Sequence, residues 1–241
     1  MISLRDKCFA IVAVFEGGKP TGGYDTIADK WPDDPGGISF GRHQASLNSG
    51  NLGKLLEEYS KTPGAQHRDE ASRWVALAKA KRSTLNHNQE FKESLRHLAK
   101  DPIMWIVQEN FFAREFFNPA YEWANNAGFG LQLSYAVIYD SWVHGSFLSG
   151  AKIAQRVPGP KPFDGGDEQK WITRYLTERQ EWLSNHSKSL LRKTVYRPEF
   201  FLGQVRANNW NLDLPFIVHG RKVTVQDFDW PKGMLNAETP T

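Results

Sequence analysis

Glu16 and the acidic residues that follow it supply the groups needed to hydrolyse a glycosidic bond. Glu16 ends an apolar segment and is followed at once by two glycines. A carboxyl group that apolar side chains partly surround is expected to have a raised pKa, as a general acid requires. The next segment adds further carboxylates, at Asp25, Asp29, Asp33 and Asp34. Two carboxyl groups in different environments can divide the work, because one protonates the leaving oxygen and the other activates water.

The string GGISFG at residues 36–41 adds features that suit a bulky sugar chain. Its glycines, Gly37 among them, would let the backbone approach the substrate closely. The Ser39 hydroxyl could help to hold the attacking water. Tyr24 and Trp31 lie in the same loop region, and each is a candidate for stacking on a sugar ring.

Arg42 and His43 directly follow that string, and two explanations fit them equally well. They could contact the substrate in the cleft, or they could make a structural hydrogen bond. Both are therefore candidate substrate-binding residues whose role the sequence leaves open.

Glu16 and the segment DPGGISFGR at residues 34–42 together resemble the catalytic segment of glycoside hydrolase family 46, the chitosanases. The resemblance implies that Glu16 is the general acid and that Asp34 is the base. It also implies that Ser39 takes the place of a threonine that positions the water. The activity that follows is that of an inverting, endo-acting hydrolase of β-1,4 bonds between amino sugars, of the lysozyme or chitosanase type.

Two later segments extend the resemblance over most of the chain. AVIYDSWVHG at residues 136–145 is similar to the family's buried apolar helix. YLTER at residues 175–179, with the segments after it, is similar to the family's C-terminal helices and final hairpin. The resemblance implies a lysozyme-like fold in which Asp140, Arg179 and Arg197 form a buried charge network between the base region and the core.

Asp25 is an alternative base. Glu16, then YDT at residues 24–26, then the string at residues 38–41 also resemble the Glu–Asp–Thr arrangement of phage-type lysozymes. We favour Asp34, because its neighbours match the chitosanase pattern without gaps. A residue in a turn would also explain Asp25.

The residues that would recognise substrate charge depart from the chitosanase pattern. Asn51 stands where the family has an acidic residue that binds the glucosamine ammonium, and Gly36 replaces an arginine of the catalytic loop. Chitosan is a polycation, so carboxylates should line its cleft. An amide suits an N-acetylated sugar, and a net charge of +3 suits an anionic cell wall. We therefore expect peptidoglycan as the substrate, slightly ahead of chitosan, and keep a catalytically silent glycan-binding module as the alternative of another class.

Composition excludes several other functions. The balance of 30 basic and 27 acidic residues is too even to indicate nucleic-acid binding. One cysteine excludes an internal disulfide and a multi-cysteine metal cluster, and the seven histidines show no HExxH or comparable ligand spacing. We therefore expect a polysaccharide as the partner, with no metal, no cofactor, no nucleic acid and no membrane span. A monomer is expected.

The N-terminal segment has no A-x-A cleavage site after its apolar run, so no signal peptide is expected. An enzyme that acts on an extracellular or periplasmic cell-wall polymer would then be released by lysis, as an endolysin is, or be delivered by a secretion system, as a toxin is. Both routes remain open from the sequence.

The sequence pattern predicts that a mainly helical α+β chain positions these residues. The Gly-, Pro- and Asp-rich stretch after Gly17 predicts a loop and a short hairpin that line the cleft. We expect a single lysozyme-like catalytic domain of two lobes over residues 1–241. Apolar periodicity and capping residues predict helices over residues 3–15, 51–59, 70–81, 101–118, 131–143, 170–191 and 198–208, and a hairpin over residues 216–225.

Overall fold

The computed structural model describes residues 2–29, 36–147 and 152–228, and these residues form two compact units. The first unit holds the described residues up to Pro20 and those from Arg114 onward, and the second runs from Thr21 to Ala113. Within the described ranges, no helix has the length and hydrophobicity needed to cross a lipid bilayer.

Helices dominate both units, and the strands are short, which confirms the mainly helical α+β class. In chain order the helices are α1 (Leu4–Gly17), α2 (Asn51–Lys61), α3 (Arg68–Lys79), α4 (Gln89–Leu98), α5 (Pro102–Phe112), α6 (Asn118–Asn126), α7 (Gln132–Val143), α8 (Glu168–Ser184), α9 (Ser189–Arg192) and α10 (Tyr196–Arg206). The strands are β1 (Ile27–Ala28), β2 (Ser39–Phe40), β3 (Ala45–Ser46), β4 (Phe216–Val218) and β5 (Arg221–Val223).

α1 lies in the core of the first unit. The Ser3 side chain accepts a hydrogen bond from the Asp6 backbone N–H, which caps the start of the helix. Gly18 ends it in a left-handed conformation, and its N–H donates to the Val14 carbonyl. All residues from Lys7 to Phe15 are buried. The first turn of the helix is partly exposed, and its C-terminal end presents Glu16 to solvent.

α7 is the second core helix of this unit. Residues 133–141 are all buried, and α7 packs against α1, α6, α8 and α10. Its bounds confirm the helix predicted over residues 131–143. The predicted C-terminal hairpin is confirmed as well, because β4 and β5 pair antiparallel on either side of a turn at Gly220.

The second unit contains a small three-stranded sheet. β1, β2 and β3 form an antiparallel sheet in that order, in which Ile27 pairs with Phe40 and Ser39 pairs with Ser46. Helices α2 to α5 make up the rest of the unit. The predicted loop and short hairpin are confirmed in this region, while residues 30–35 lie outside the described part of the chain.

Two predicted helices are corrected by the structure, and a third helix was missed. The helix predicted over residues 101–118 is interrupted by a π-helical turn at Ala113–Phe117, just before Pro119, whose ring nitrogen cannot donate to a preceding carbonyl. The helix predicted over residues 170–191 ends at Ser184, and only a short α9 follows. α4 was not predicted, although Asn88 caps it by accepting from the Phe91 N–H.

Gly53 allows α2 and α3 to approach closely, which gives a testable prediction. A Cβ on Gly53 would lie 2.7 Å from the Lys79 backbone nitrogen and 2.9 Å from the Ala78 carbonyl carbon. Gly53→Ala should therefore lower the free energy of unfolding by about 1–3 kcal/mol through overpacking. Gly203→Ala in α10 is the matched control, because the nearest atom to its Cβ would be a flexible arginine nitrogen at 3.9 Å.

The control should be stabilised by roughly 0.5–1 kcal/mol, since alanine has the better helix propensity. Urea denaturation of the two variants measures both effects. A Gly53→Ala protein as stable as the control would contradict the close approach of the two helices.

Candidate active site

Glu16 is positioned by the end of a buried helix. The α1 residues before it are buried, and the helix ends at the following glycine pair, so the carboxylate is brought to the surface. The Glu16 side chain is 34% exposed. Its Oε1 accepts a short hydrogen bond from Nη2 of Arg197. The carboxyl group is therefore oriented by one fixed donor and remains accessible to solvent.

Arg197 belongs to a network of buried charges centred on Asp140. Asp140 lies on α7, and both of its oxygens are used: Oδ2 accepts from Arg179 Nη1 and Oδ1 accepts from Arg197 Nη1, each at 2.7 Å. The side chains of Asp140 and Arg179 have no exposed surface. The structure thus brings Glu16 together with the three residues that the resemblance grouped as a buried network.

The network pairs the Asp140 carboxylate with two guanidinium groups, one of which also binds Glu16. Burial alone would raise the pKa of Asp140, but the neighbouring charges of Arg179 and Arg197 lower it below its usual range. Burial would lower the pKa of Arg197, but Asp140 and Glu16 raise it above its ordinary value. Asp140 and Arg197 are therefore both charged at neutral pH.

His144 lies beside this network and stays neutral. Burial, together with the positive charges of Arg179 and Arg197, lowers the pKa of His144 to about 3. A third positive charge next to Asp140 is thereby avoided at neutral pH. His144 is the C-cap residue of α7.

Aromatic contacts fix the guanidinium group of Arg197 from the side of α1. Its guanidinium carbon lies 5.1 Å from the centroid of the Phe15 ring. The neighbouring Tyr196 hydroxyl donates to the Phe15 carbonyl at 3.2 Å. Arg197, which binds Glu16, is thus itself positioned by Phe15.

A second buried carboxylate, Glu109 on α5, organises the loop region of the second unit. Its Oε1 accepts from Arg42 Nη1 at 2.8 Å and from the Tyr24 hydroxyl at 3.2 Å, and it lies 3.2 Å from His43 Nε2. Burial would raise the pKa of Glu109, but the charge of Arg42 and hydrogen bonds from its neighbours lower it to about 2. Burial lowers the pKa of His43, so a neutral imidazole donates its Nε2–H to the carboxylate.

The side chain of Gln108, the neighbour of Glu109, binds backbone groups of the same loop. Its Oε1 accepts from the Arg42 N–H and its Nε2 donates to the Tyr24 carbonyl, each at 3.0 Å. A Cβ on Gly41 would lie 2.3 Å from that Oε1, and Gly41 has a φ of 82°. Only glycine fits at this position without displacing Gln108.

The structure therefore gives three predicted substrate-binding residues a structural role. Arg42 and His43 are buried and bound to Glu109, as the structural explanation of these residues requires. Tyr24 stacks on Trp105 at a centroid distance of 5.2 Å and an interplanar angle of 11°. Contact of these three with substrate stays a prediction.

The remaining predicted residues of the loop occupy different settings. Ser39 on β2 donates its hydroxyl proton to Gln44 Oε1 at 2.6 Å, so its oxygen keeps only acceptor capacity for a water. A Cβ on Gly37 would lie 2.8 Å from the Asn86 side-chain oxygen, and that oxygen accepts from the Ile38 N–H. The glycine is thus required by packing against Asn86.

Asp25 and Asn51 lie at the surface. Asp25 is an exposed residue of a turn, and Asn51 begins α2, where its N–H donates to the Ser49 hydroxyl at 3.2 Å. Asp34 and Trp31 fall outside the described residues. Their proposed roles, and those of Asp25 and Asn51, stay predictions.

Sequence reasoning missed Glu109, Gln108 and Asn86, because none of them belongs to a motif. For Glu109 and Gln108 the available signal was the run of three polar residues, QEN, in the otherwise apolar stretch PIMWIVQENFF of α5. A buried polar pair in an apolar helix must find partners, so it indicates an internal network.

The comparisons with solved structures concern the fold. A native chitosanase from Bacillus subtilis MY002 matches with a TM-score of 0.75 and 23% identity over 91% of this chain and 94% of that chain. A family 46 chitosanase of Gynuella sunshinyii, in complex with chitotetraose, matches with a TM-score of 0.78 and 20% identity over 93% and 98%. These similarities show that the chain has the lysozyme-like fold.

The sequence comparisons define the class of protein more narrowly. A curated chitosanase of Bacillus subtilis (strain 168) is 27% identical over 202 residues, which are 79% of this chain and 73% of the relative. The family description Glycosyl hydrolase family 46 matches residues 10–216. The protein is therefore a glycoside hydrolase. It belongs to glycoside hydrolase family 46.

The preference for peptidoglycan as the substrate is wrong. Membership of family 46 and the chitosanases among the relatives overturn it, and with it the muramidase and cell-wall degradation assignments. The error came from one amide, Asn51, and from the net charge of the whole chain. Neither a single amide nor the net charge of the chain determines the electrostatic potential at the substrate, which depends on the local arrangement of charges.

Removing the central carboxylate of the buried network tests its contribution to stability. Asp140→Ala leaves the guanidinium groups of Arg179 and Arg197 without their shared partner, so it should lower the free energy of unfolding by about 3–5 kcal/mol. Arg73→Ala is the control, since it removes an exposed pair with Glu90 at 3.8 Å and should change stability by less than about 1 kcal/mol. Urea denaturation gives both values, and equal losses would contradict a buried network.

Proposed function

We propose that this protein is a chitosanase that hydrolyses the β-1,4 bonds of chitosan with inversion and without a cofactor. The observation that carries the proposal is a solvent-accessible Glu16 bound to the buried Arg197–Asp140–Arg179 network in a chain of family 46. The relatives described as chitosanases support the choice of polymer. Chitosan is an extracellular polymer, so we also propose that the enzyme acts outside the cell. We further propose that it is a monomer.

We assign the role of general acid to Glu16. When Glu16 gives its proton to the leaving oxygen, it becomes a carboxylate, and the adjacent guanidinium group of Arg197 neutralises the new charge. Asp140 and Arg179 keep that guanidinium in place, because Asp140 uses one oxygen for each arginine. Arg197 is thus a positioning residue that also stabilises the product state of proton transfer.

We assign the role of base to Asp34, with Asp25 as the alternative. In an inverting enzyme the base is a carboxylate that removes a proton from the attacking water. The Ser39 oxygen can accept a hydrogen bond from that water, because its own proton is donated to Gln44. The sheet that carries Ser39 would then fix the direction of the water relative to the base.

The substrate and the acid are tested together by measuring reducing ends released from chitosan. The wild-type enzyme should release them from chitosan of low acetylation, and bacterial peptidoglycan should serve as the unreactive polymer. Glu16→Gln should lower kcat by about 10²–10⁴-fold, the usual effect of losing a general acid. Glu122→Gln, on the exposed face of α6, is the matched control.

Both variants should keep the melting temperature of the wild type. Glutamine at position 16 can still accept from Arg197, and Glu122 is exposed. A Glu16→Gln enzyme with near-normal kcat would reject Glu16 as the acid. A wild-type enzyme that is inactive on chitosan at every degree of acetylation would reject the proposed function.

The base is tested by comparing Asp34→Asn with Asp25→Asn on the same polymer. Asp34→Asn should lower kcat by about 10²-fold or more, whereas Asp25→Asn should have a small effect. Proton NMR early in the reaction should show the inverted anomer, because water attacks the face opposite to the leaving group. Equal or reversed losses would transfer the role to Asp25, and a retained anomer would exclude the inverting mechanism.

A further inference from the structure

Three potential metal ligands converge on one surface of the second unit. His67 is the residue that precedes α3, Glu70 lies in the first turn of α3, and His97 lies in the last turn of α4. Their potential ligand atoms all lie within 4.8 Å of one another. Nδ1 of His97 is 2.7 Å from Oε2 of Glu70, and the two imidazole rings have a centroid distance of 4.0 Å.

We propose that His67, Glu70 and His97 bind a divalent transition-metal ion, for which Zn²⁺ is the best fit. Two imidazoles and one carboxylate form a donor set that Zn²⁺ uses with a water in the fourth position. Mg²⁺ and Ca²⁺ fit less well, because they select oxygen ligands. The proposal concerns a part of the molecule other than the network of Glu16 and is independent of the proposed function.

The distances are compatible with coordination after small side-chain rotations. Ligand atoms at 2.0–2.1 Å from a tetrahedral ion are roughly 3.4 Å apart. The Glu70–His97 pair is already closer than that, and a pair at the upper limit of 4.8 Å would have to approach by less than about 1.5 Å. The two rings, tilted by 40° to each other, need only turn their edges toward the ion.

The backbone of His67 is held in place by a buried acid. Its N–H donates to the Tyr59 hydroxyl at 3.2 Å, and that hydroxyl donates to Asp101 Oδ2 at 2.6 Å. The backbone N–H of Gln66, the preceding residue, donates to the same oxygen at 2.8 Å. The backbone that carries one ligand is thus fixed, and the nearby carboxylate of Asp101 favours a cation electrostatically.

Exposure of the cluster allows an ion to enter from solvent. The side chain of His97 is 48% exposed and that of Glu70 is 20% exposed. A bound ion would connect the start of α3 to the end of α4, which otherwise pack through Trp74 and Phe91 at a ring distance of 5.2 Å. Because the ion would bind only the folded unit, it would also stabilise that unit.

No short motif in the sequence indicates this site. The ligands come from two helices, so their spacing along the chain follows none of the short histidine motifs. The expectation of no metal rested on those motifs alone. The metal site is indicated instead by the short distances between the three side chains in the folded unit.

Calorimetric titration of the full-length, metal-free protein with ZnCl₂ tests the proposal, using a preparation without a histidine tag. The wild type should bind one equivalent with micromolar or tighter affinity, and its melting temperature should rise when ZnCl₂ is added. His97→Ala and Glu70→Gln should each weaken binding by at least about tenfold and remove the thermal shift. His87→Ala is the control, because it removes an exposed histidine of the same unit and should bind as the wild type does.

Cobalt substitution provides a second readout. CoCl₂ should give an intense visible absorption band, typical of a tetrahedral ion, with the wild type and His87→Ala but not with His97→Ala. Wild-type binding weaker than millimolar would overturn the proposal, as would His97→Ala and Glu70→Gln proteins that bind as tightly as the control. Chitosan hydrolysis is not measured in these experiments, so either result leaves the proposed function unchanged.

Discussion

The carboxylate of Asp140, shared between Arg179 and Arg197, is the interaction on which the rest of the first unit depends. A charge that is fully buried is tolerated only when it is paired and hydrogen-bonded. Asp140 meets this requirement by recruiting one guanidinium from α8 and one from α10. The requirement therefore fixes how these two helices pack against α7. Because Arg197 also reaches Glu16, the same constraint that orders the core orients the residue proposed for catalysis.

The second unit uses the same physical solution with different residues. Glu109 is buried on an apolar helix, and its charge is matched by Arg42 from the loop after β2. Here the pairing holds a loop, whereas Asp140 holds helices. In both units a buried acid draws in a basic residue that is distant in sequence, and the long side chain of arginine makes this reach possible. Neighbouring polar groups, His43 and Gln108, complete the hydrogen bonding.

The fold could be predicted where apolar periodicity is strong, as in α7, and less well where local features compete with it. Periodicity did not reveal the π-helical turn before Pro119, since the turn lies within a continuous helical stretch from α5 to α6. In the site, the grouping of Asp140 with two arginines came from family resemblance, because no spacing rule connects them. The contacts of Glu109, and the cluster of His67, Glu70 and His97, join segments that are distant in sequence, so no spacing along the chain indicates them. The choice of polymer failed for a related reason, since a local potential was inferred from one residue and an overall charge.

The left-handed backbone of Gly41 and its contact with Gln108 also constrain how this sequence can change over time. The space that a side chain at position 41 would need is occupied by the Gln108 amide, which in turn holds the backbone of Tyr24 and Arg42. A mutation at position 41 alone meets both backbone strain and a steric clash, and a smaller residue at position 108 relieves only the clash. The two positions are therefore expected to drift very little, even in lineages whose surface residues diverge. Combinatorial libraries aimed at new substrates would retain more folded members if both were left unchanged.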